Sequence, residues 1–124
     1  MKITILCVGK IKETYFSGAI KEYSKRLSRY CKLNIIEVPD EKTPDGASDH
    51  LMNQIKDKEG ERLLKNFPDH AYVIALAIEG KKLSSEKLAE KMNGLGIQGE
   101  SHLVFVIGGS LGLSKAVLDR ADYL

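Results

Sequence analysis

Two kinds of apolar spacing alternate along the chain. Short runs at Lys2 to Val8, Leu33 to Val38, Ala71 to Ile78 and His102 to Ile107 read as β-strands. The third and fourth are almost continuously apolar (Tyr72-Val73-Ile74-Ala75-Leu76 and Leu103-Val104-Phe105-Val106-Ile107). A strand that is apolar on both sides is covered on both sides, as in parallel sheets flanked by helices. Between the runs, helical spacing predicts helices over about Glu13 to Cys31, Asp49 to Asn66, Ser85 to Asn93 and Lys115 to Ala121. The order βαβαβαβα predicts an α/β fold with a mostly parallel sheet.

Punctuation agrees with this division. Pro39-Asp40-Glu41-Lys42-Thr43-Pro44-Asp45-Gly46 fits neither helix nor strand and is expected to be a mobile loop. Phe67-Pro68-Asp69 closes the second helix, and Ser84-Ser85-Glu86 offers the third an N-cap and a first-turn carboxylate. Asn93-Gly94 is expected to end that helix with residues that tolerate positive φ. After the fourth helix the sequence reads Asp122-Tyr123-Leu124, like the beginning of a fifth strand, which raises the expectation of a C-terminally truncated chain.

Length and composition then narrow the classes. The 124 residues fit one domain spanning 1–124, and 43% hydrophobic with 29% charged residues is ordinary for a globular protein. The longest apolar run falls well short of the ~20 residues of a membrane helix. No secretory leader is legible at Met1 to Leu6, so no membrane association is expected and the default compartment is the cytoplasm. Cys7 and Cys31 lack CxxC spacing, and His50, His70 and His102 match no metal motif, so no metal is expected. Cys7, inside an apolar run, reads as a buried thiol.

Charge is uneven. Residues 1–35 carry eight basic and two acidic side chains, residues 36–62 four and eight, and the remainder seven of each. On the first helix, with Lys21 at 0°, Lys32, Lys25 and Arg29 fall within about 80° of it, whereas Ala19, Tyr30, Tyr23, Phe16, Leu27 and Ile20 lie at about 160–260°. One face is a basic stripe, either solvated or set to meet RNA phosphates. The opposite face reads as core or as a subunit interface.

The chemistry-bearing segment follows the fourth strand. Gly108-Gly109-Ser110-Leu111-Gly112-Leu113-Ser114 lets a ligand approach bare backbone, and Ser114 can cap the next helix. The register finds no P-loop Lys-Ser/Thr, and Ser110 stands where a dinucleotide G-x-G requires glycine. The loop therefore suits a ligand without a phosphate chain, the alternative being a tight βα turn. Ligands of open parallel sheets bind beyond the carboxyl ends of strands. The loops after Leu76 and Ile107 should share that edge, with His70 and His102 at the other. Glu79 lies at the correct edge but reads as an exposed carboxylate; no general base is evident.

These segments also carry a resemblance. Val8-Gly9-Lys10-Ile11-Lys12, Glu22-Tyr23-Ser24-Lys25-Arg26-Leu27, Val38-Pro39-Asp40-Glu41-Lys42, Lys58-Glu59-Gly60, Gly80-Lys81-Lys82-Leu83-Ser84-Ser85-Glu86 and Phe105-Val106-Ile107-Gly108-Gly109-Ser110-Leu111-Gly112-Leu113 occur in order. The chain resembles the bacterial ribosomal RNA large subunit methyltransferase H family of the SPOUT superfamily. That resemblance implies a homodimeric S-adenosylmethionine-dependent enzyme acting on N3 of a pseudouridine in 23S rRNA within the ribosome. It implies a trefoil-knotted α/β fold, with Leu76 and Gly108 lining the cofactor site and Gly109 and Gly112 shaping the loop. S-adenosylmethionine carries no phosphates, in keeping with the missing phosphate motifs. Family members continue past Leu124 with a fifth strand, a further cofactor loop and a C-terminal helix. An incomplete knot and a weak or inactive enzyme alone are therefore expected. The alternative is a truncated, non-catalytic paralogue that dimerises or docks on the ribosome.

Overall fold

The computed structural model describes every residue except 10–13, 78, 79, 81 and 110. The elements follow the expected order: β1 (Lys2–Val8), α1 (Thr14–Leu27), β2 (Lys32–Val38), α2 (Asp49–Leu64), β3 (Tyr72–Ala75), α3 (Ser85–Ile97), β4 (His102–Ile107) and α4 (Lys115–Arg120). Their strands make one sheet in the order β2-β1-β4-β3, and every pairing is parallel. The α/β expectation holds.

Side-chain alternation explains how the sheet is covered. Leu6 and Val8 of β1, Val38 of β2, Val73 and Ala75 of β3, and Val104 and Val106 of β4 share one face. Leu63 of α2 and Val117 of α4 seal that face. Leu6, Val73, Val104, Val106 and Val117 are fully buried, and each such side chain contributes about 1.5–3 kcal/mol of hydrophobic stabilisation. On the other face Leu103 and Ile74 are buried, while Ile35 and Ile107 stay about 40% exposed. Thr4, the buried polar residue of β1, is satisfied by His102 Nε2 at 2.8 Å. Burial, and then the neighbouring Lys2, lower the His102 pKa, so the neutral ring that bonds Thr4 is favoured.

Several boundaries differ from expectation. Helix α3 does not stop at Asn93-Gly94 but continues to Ile97, because Leu95 is buried and rewards another turn. The left-handed residue is instead Gly99, at φ 95°. Glu100 N–H donates to Leu95 O (2.9 Å) and Gly99 N–H to Gly96 O (3.1 Å), a Schellman ending. Helix α1 ends at Leu27 rather than Cys31, and α2 at Leu64 rather than Asn66. Strand β3 is shorter than its apolar run, because Leu76 makes one last ladder bond, to Val106 O at 3.0 Å, and turns out of the sheet. The far end of that run, Ile78, lies outside the described residues.

For the apolar face of α1, expected to be core or a subunit interface, the core alternative does not hold. Ile20, Tyr23 and Leu27 are 36%, 62% and 43% exposed, and Tyr30 beyond the helix is 80% exposed. They are not core residues; within this chain α1 touches chiefly β2. Phe16's side chain lies outside the description.

The expected fifth-strand pairing is present at its first step. Asp122 N–H donates to Val73 O (2.8 Å) and Ala75 N–H to Tyr123 O (2.9 Å), so Tyr123 pairs in parallel with Ile74 on the outer edge of β3. Asp122 Oδ2 additionally accepts from Val73 N–H at 2.8 Å.

Cys7 Sγ donates to Ile36 O at 3.7 Å, and burial, reinforced by the Glu37 carboxylate, pushes its thiol pKa up. The thiolate is the reactive species, so alkylation of Cys7 at about pH 7.5 should run slower than that of a free peptide thiol. The deficit should shrink as pH rises above the ordinary thiol range. Mass spectrometry of iodoacetamide-treated protein checks this, and peptide-like kinetics at Cys7 would contradict it.

Candidate functional site

Parallel strands deliver all their following loops to one rim. Ala75 of β3 pairs with Val106 of β4, which brings Leu76 alongside Ile107 and Gly108. The two residues implicated by the resemblance therefore meet. They line one hollow of about 390 Å³ together with Lys56, Ala77, Ile107, Gly109, Leu111, Gly112, Leu113, Lys115 and Leu118. That volume lies within the usual range for small-molecule sites, roughly 300–1,000 Å³.

The glycine loop is both a tight turn and a wall. Gly112 N–H donates to Gly109 O at 3.0 Å, and Gly112 sits at φ 91°, a conformation glycine adopts without strain. Gly108 is fixed by close approach: a Cβ there would lie 2.7 Å from the Gly112 carbonyl carbon and 2.8 Å from its oxygen. The loop then enters α4, where Ser114, itself buried, caps the helix by accepting from Val117 N–H at 3.3 Å. Ser110 lies outside the described residues.

The lining is mostly aliphatic, with exposed backbone and two cations. Leu76 is 54% exposed because its side chain leaves the sheet to border the hollow. Among the described residues, no Asp, Glu or His lines it. Sequence reasoning missed Lys56 and Lys115. Lys115 could have been found, because it opens the helix that follows the glycine loop. Lys56 reaches the site only through the packing of α2 on the sheet, which no local pattern records. Glu79 lies outside the described residues. His70 and His102 lie at the opposite, amino-terminal edge, as expected, and His50 is exposed at the start of α2.

A second hollow, about 340 Å³, lies against the outer part of β3. It is lined by Ile74, Leu76, Leu83, Leu88, Phe105 and Tyr123 among others. It shares Leu76 and Ala77 with the first, so the segment leaving β3 is a partition between an apolar chamber and the glycine-walled one. Of these two, the glycine-walled hollow carries cations and open backbone, and no cation lines the other among the described residues. Among the described residues there is no cluster of potential metal ligands and no helix long and apolar enough to cross a membrane.

The sequence has relatives along its full length. Residues 1–124 match the family model described as "Predicted SPOUT methyltransferase". A protein of Bifidobacterium adolescentis named ribosomal RNA large subunit methyltransferase H is 65% identical over 124 residues, which is 100% of this chain and 78% of that protein. Proteins of the same name from Clostridium tetani and Clostridium novyi are 61% and 60% identical over 123 residues, 99% of this chain and 77% of each. A glycine-walled hollow at the carboxyl rim of a parallel sheet, a family match over every residue and relatives above half identity lead to one conclusion: the chain belongs to the SPOUT methyltransferase family.

Proposed function

We propose that this protein is a cytoplasmic, S-adenosylmethionine-dependent methyltransferase that modifies N3 of a pseudouridine in 23S rRNA of the ribosome, working as a homodimer. The observation that carries the reading is the shared hollow of Leu76 and Gly108, in a chain 65% identical to a protein named for rRNA methylation. The residues present fit the donor. Leu76, Ala77, Ile107 and Leu118 offer apolar surface for an adenosine, and the turn at Gly108 to Gly112 offers close backbone approach. Lys56 and Lys115 supply positive charge for a methionine carboxylate. S-adenosylmethionine would supply an activated methyl group on a sulfonium.

The chain's own residues contribute chiefly alignment. A hollow with a rigid turn on one side and Leu76 on the other restricts the donor's orientation, and such restriction can lower a barrier by several kcal/mol. Among the described residues its lining offers no carboxylate or imidazole to accept the N3 proton, so no catalytic base is assigned. The exposed apolar side chains Ile20, Tyr23 and Leu27 on α1 support pairing with a second copy.

Incubating the protein with methyl-labelled donor and ribosomes that lack the modification tests the reading. About one methyl per particle is expected, at the pseudouridine. Donor binding without transfer would favour a docking role, and a preference for ATP or NAD over S-adenosylmethionine would overturn the reading.

The basic stripe yields a further expectation. Lys21 and Lys25 lie on α1, whereas Arg29 and Lys32 fall beyond its end at Leu27 and do not continue its face; all four are exposed, as an RNA-facing surface requires. Lys25→Glu combined with Arg29→Glu should weaken ribosome binding and lower the slope of log affinity against log salt by about two. An unchanged slope in filter-binding titrations would mark these residues as merely solvated.

A further inference from the structure

The Lys58-Glu59-Gly60 segment has no place in the hollow, yet Glu59 is 4% exposed, an expensive location for a carboxylate. Its oxygens face two different loops. Oε2 accepts from the backbone N–H of Glu41 at 3.0 Å, in the loop after β2. On its other side the carboxylate lies under Gly109, where an added Cβ would stand 3.0 Å from Oε1 and 3.3 Å from Oε2. One turn further along α2, Arg62 donates to Pro39 O at 2.9 Å and pairs with the Glu41 carboxylate. The adjacent Gly60 packs against Ser114, the cap that follows the glycine loop. In the sheet these two loops leave β2 and β4, which β1 separates. Helix α2, beneath the rim, reaches both with charged side chains; the end of β1 also borders both, through Val8 beside Gly109 and Gly9 beside Asp40.

We propose that Glu59 is a positioning residue that couples the donor loop, Gly108 to Gly112, to the loop at Pro39 to Glu41. The expected mobile loop is thus fastened at Pro39 and Glu41, and one of its two fastening groups, Glu59, is the one on which the donor loop rests. Asp40 and Lys42 are exposed in that loop, where an RNA substrate could meet them. Glu59 would therefore let an occupied donor site set the loop that the RNA meets. Neither substitution of Glu59 reproduces the arrangement. Aspartate is one methylene too short to touch both loops, and glutamine keeps a single acceptor oxygen.

The inference rests on the donor reading above, and hydrogen exchange at the Glu41 amide tests the two separately. In the native protein, saturating S-adenosylmethionine should slow that exchange about tenfold, by suppressing local opening. In Glu59→Asp the slowing should fall below about twofold, with protection at Leu6 and Val104 unchanged. Gly109→Ala perturbs the contact from the other loop and leaves Glu59 in place. Without donor, it should accelerate Glu41 exchange about threefold, and this variant decides the matter if Glu59→Asp fails to fold. Donor binding that leaves Glu41 exchange unmoved in the native protein would overturn the coupling alone, as would a full response in Glu59→Asp. Failure of the native protein to bind the donor would overturn the donor reading and the coupling together.

Discussion

Gly108→Ala should reduce S-adenosylmethionine affinity by about 100-fold or more while leaving the sheet intact. A methyl at this position would meet the Gly112 carbonyl carbon at 2.7 Å and its oxygen at 2.8 Å. Both are backbone atoms, so no side-chain rotation relieves the overlap. The turn held by the Gly112 N–H to Gly109 O bond must therefore open or shift. Overpacking of this kind costs about 1–3 kcal/mol, and a 100-fold loss of affinity corresponds to about 2.7 kcal/mol. The effect should concentrate on binding, because Gly108 follows β4 while the buried ladder, Leu103 to Val106, lies ahead of it. Calorimetric titration together with a thermal melt separates the two consequences. A variant with native affinity would show that the donor does not use this wall.

The second large effect is on stability. Alanine normally favours a helix interior over glycine by about 1 kcal/mol, yet Gly60→Ala in α2 should destabilise the protein. The new Cβ would lie 2.2 Å from Ser114 Oγ and 3.0 Å from Ser114 Cβ. Ser114 is 2% exposed and caps α4, so it cannot swing into solvent without losing the bond to Val117 N–H. A lost cap is worth about 1 kcal/mol, and forcing α2 from α4 adds about 1–3 kcal/mol. Sterics therefore outweigh propensity, and a net loss of about 2 kcal/mol is expected. Given urea m-values of about 1–3 kcal/mol/M, the unfolding midpoint should fall by roughly 1 M. A midpoint equal to or above that of the native chain would mean that α2 and α4 pack less closely than described.

The extent to which the sequence announced all this differs from element to element. Strand positions and the parallel sheet followed from runs such as Leu103 to Ile107, because a two-sided apolar strand has few alternatives. The meeting of Leu76 and Gly108 was legible for the same reason, since parallel neighbours bring their following loops to one rim. Where local and tertiary signals compete, the sequence misleads. Asn93-Gly94 looks like a helix end, but burial of Leu95 carries α3 on to Gly99. The wheel of α1 correctly groups Ile20, Tyr23 and Leu27, yet periodicity says only that they share a face, not what covers it. Lys56 and Glu59 were opaque as participants because their positions depend on how α2 lies beneath the rim. A loop rich in Pro, Asp and Gly reads as mobile because its fastenings, Glu59 and Arg62, lie some twenty residues away.

Amide chemical-shift mapping with S-adenosylhomocysteine bears most directly on the reading as a whole, because it locates the ligand whether or not methyl transfer proceeds. Binding at the glycine-walled hollow should concentrate the perturbations on Leu76, Ala77, Ile107, Gly108 and Gly112. Saturable binding whose perturbations fall on α1 or on the amino-terminal edge near His70 and His102, with Leu76 and Gly108 silent, would contradict it.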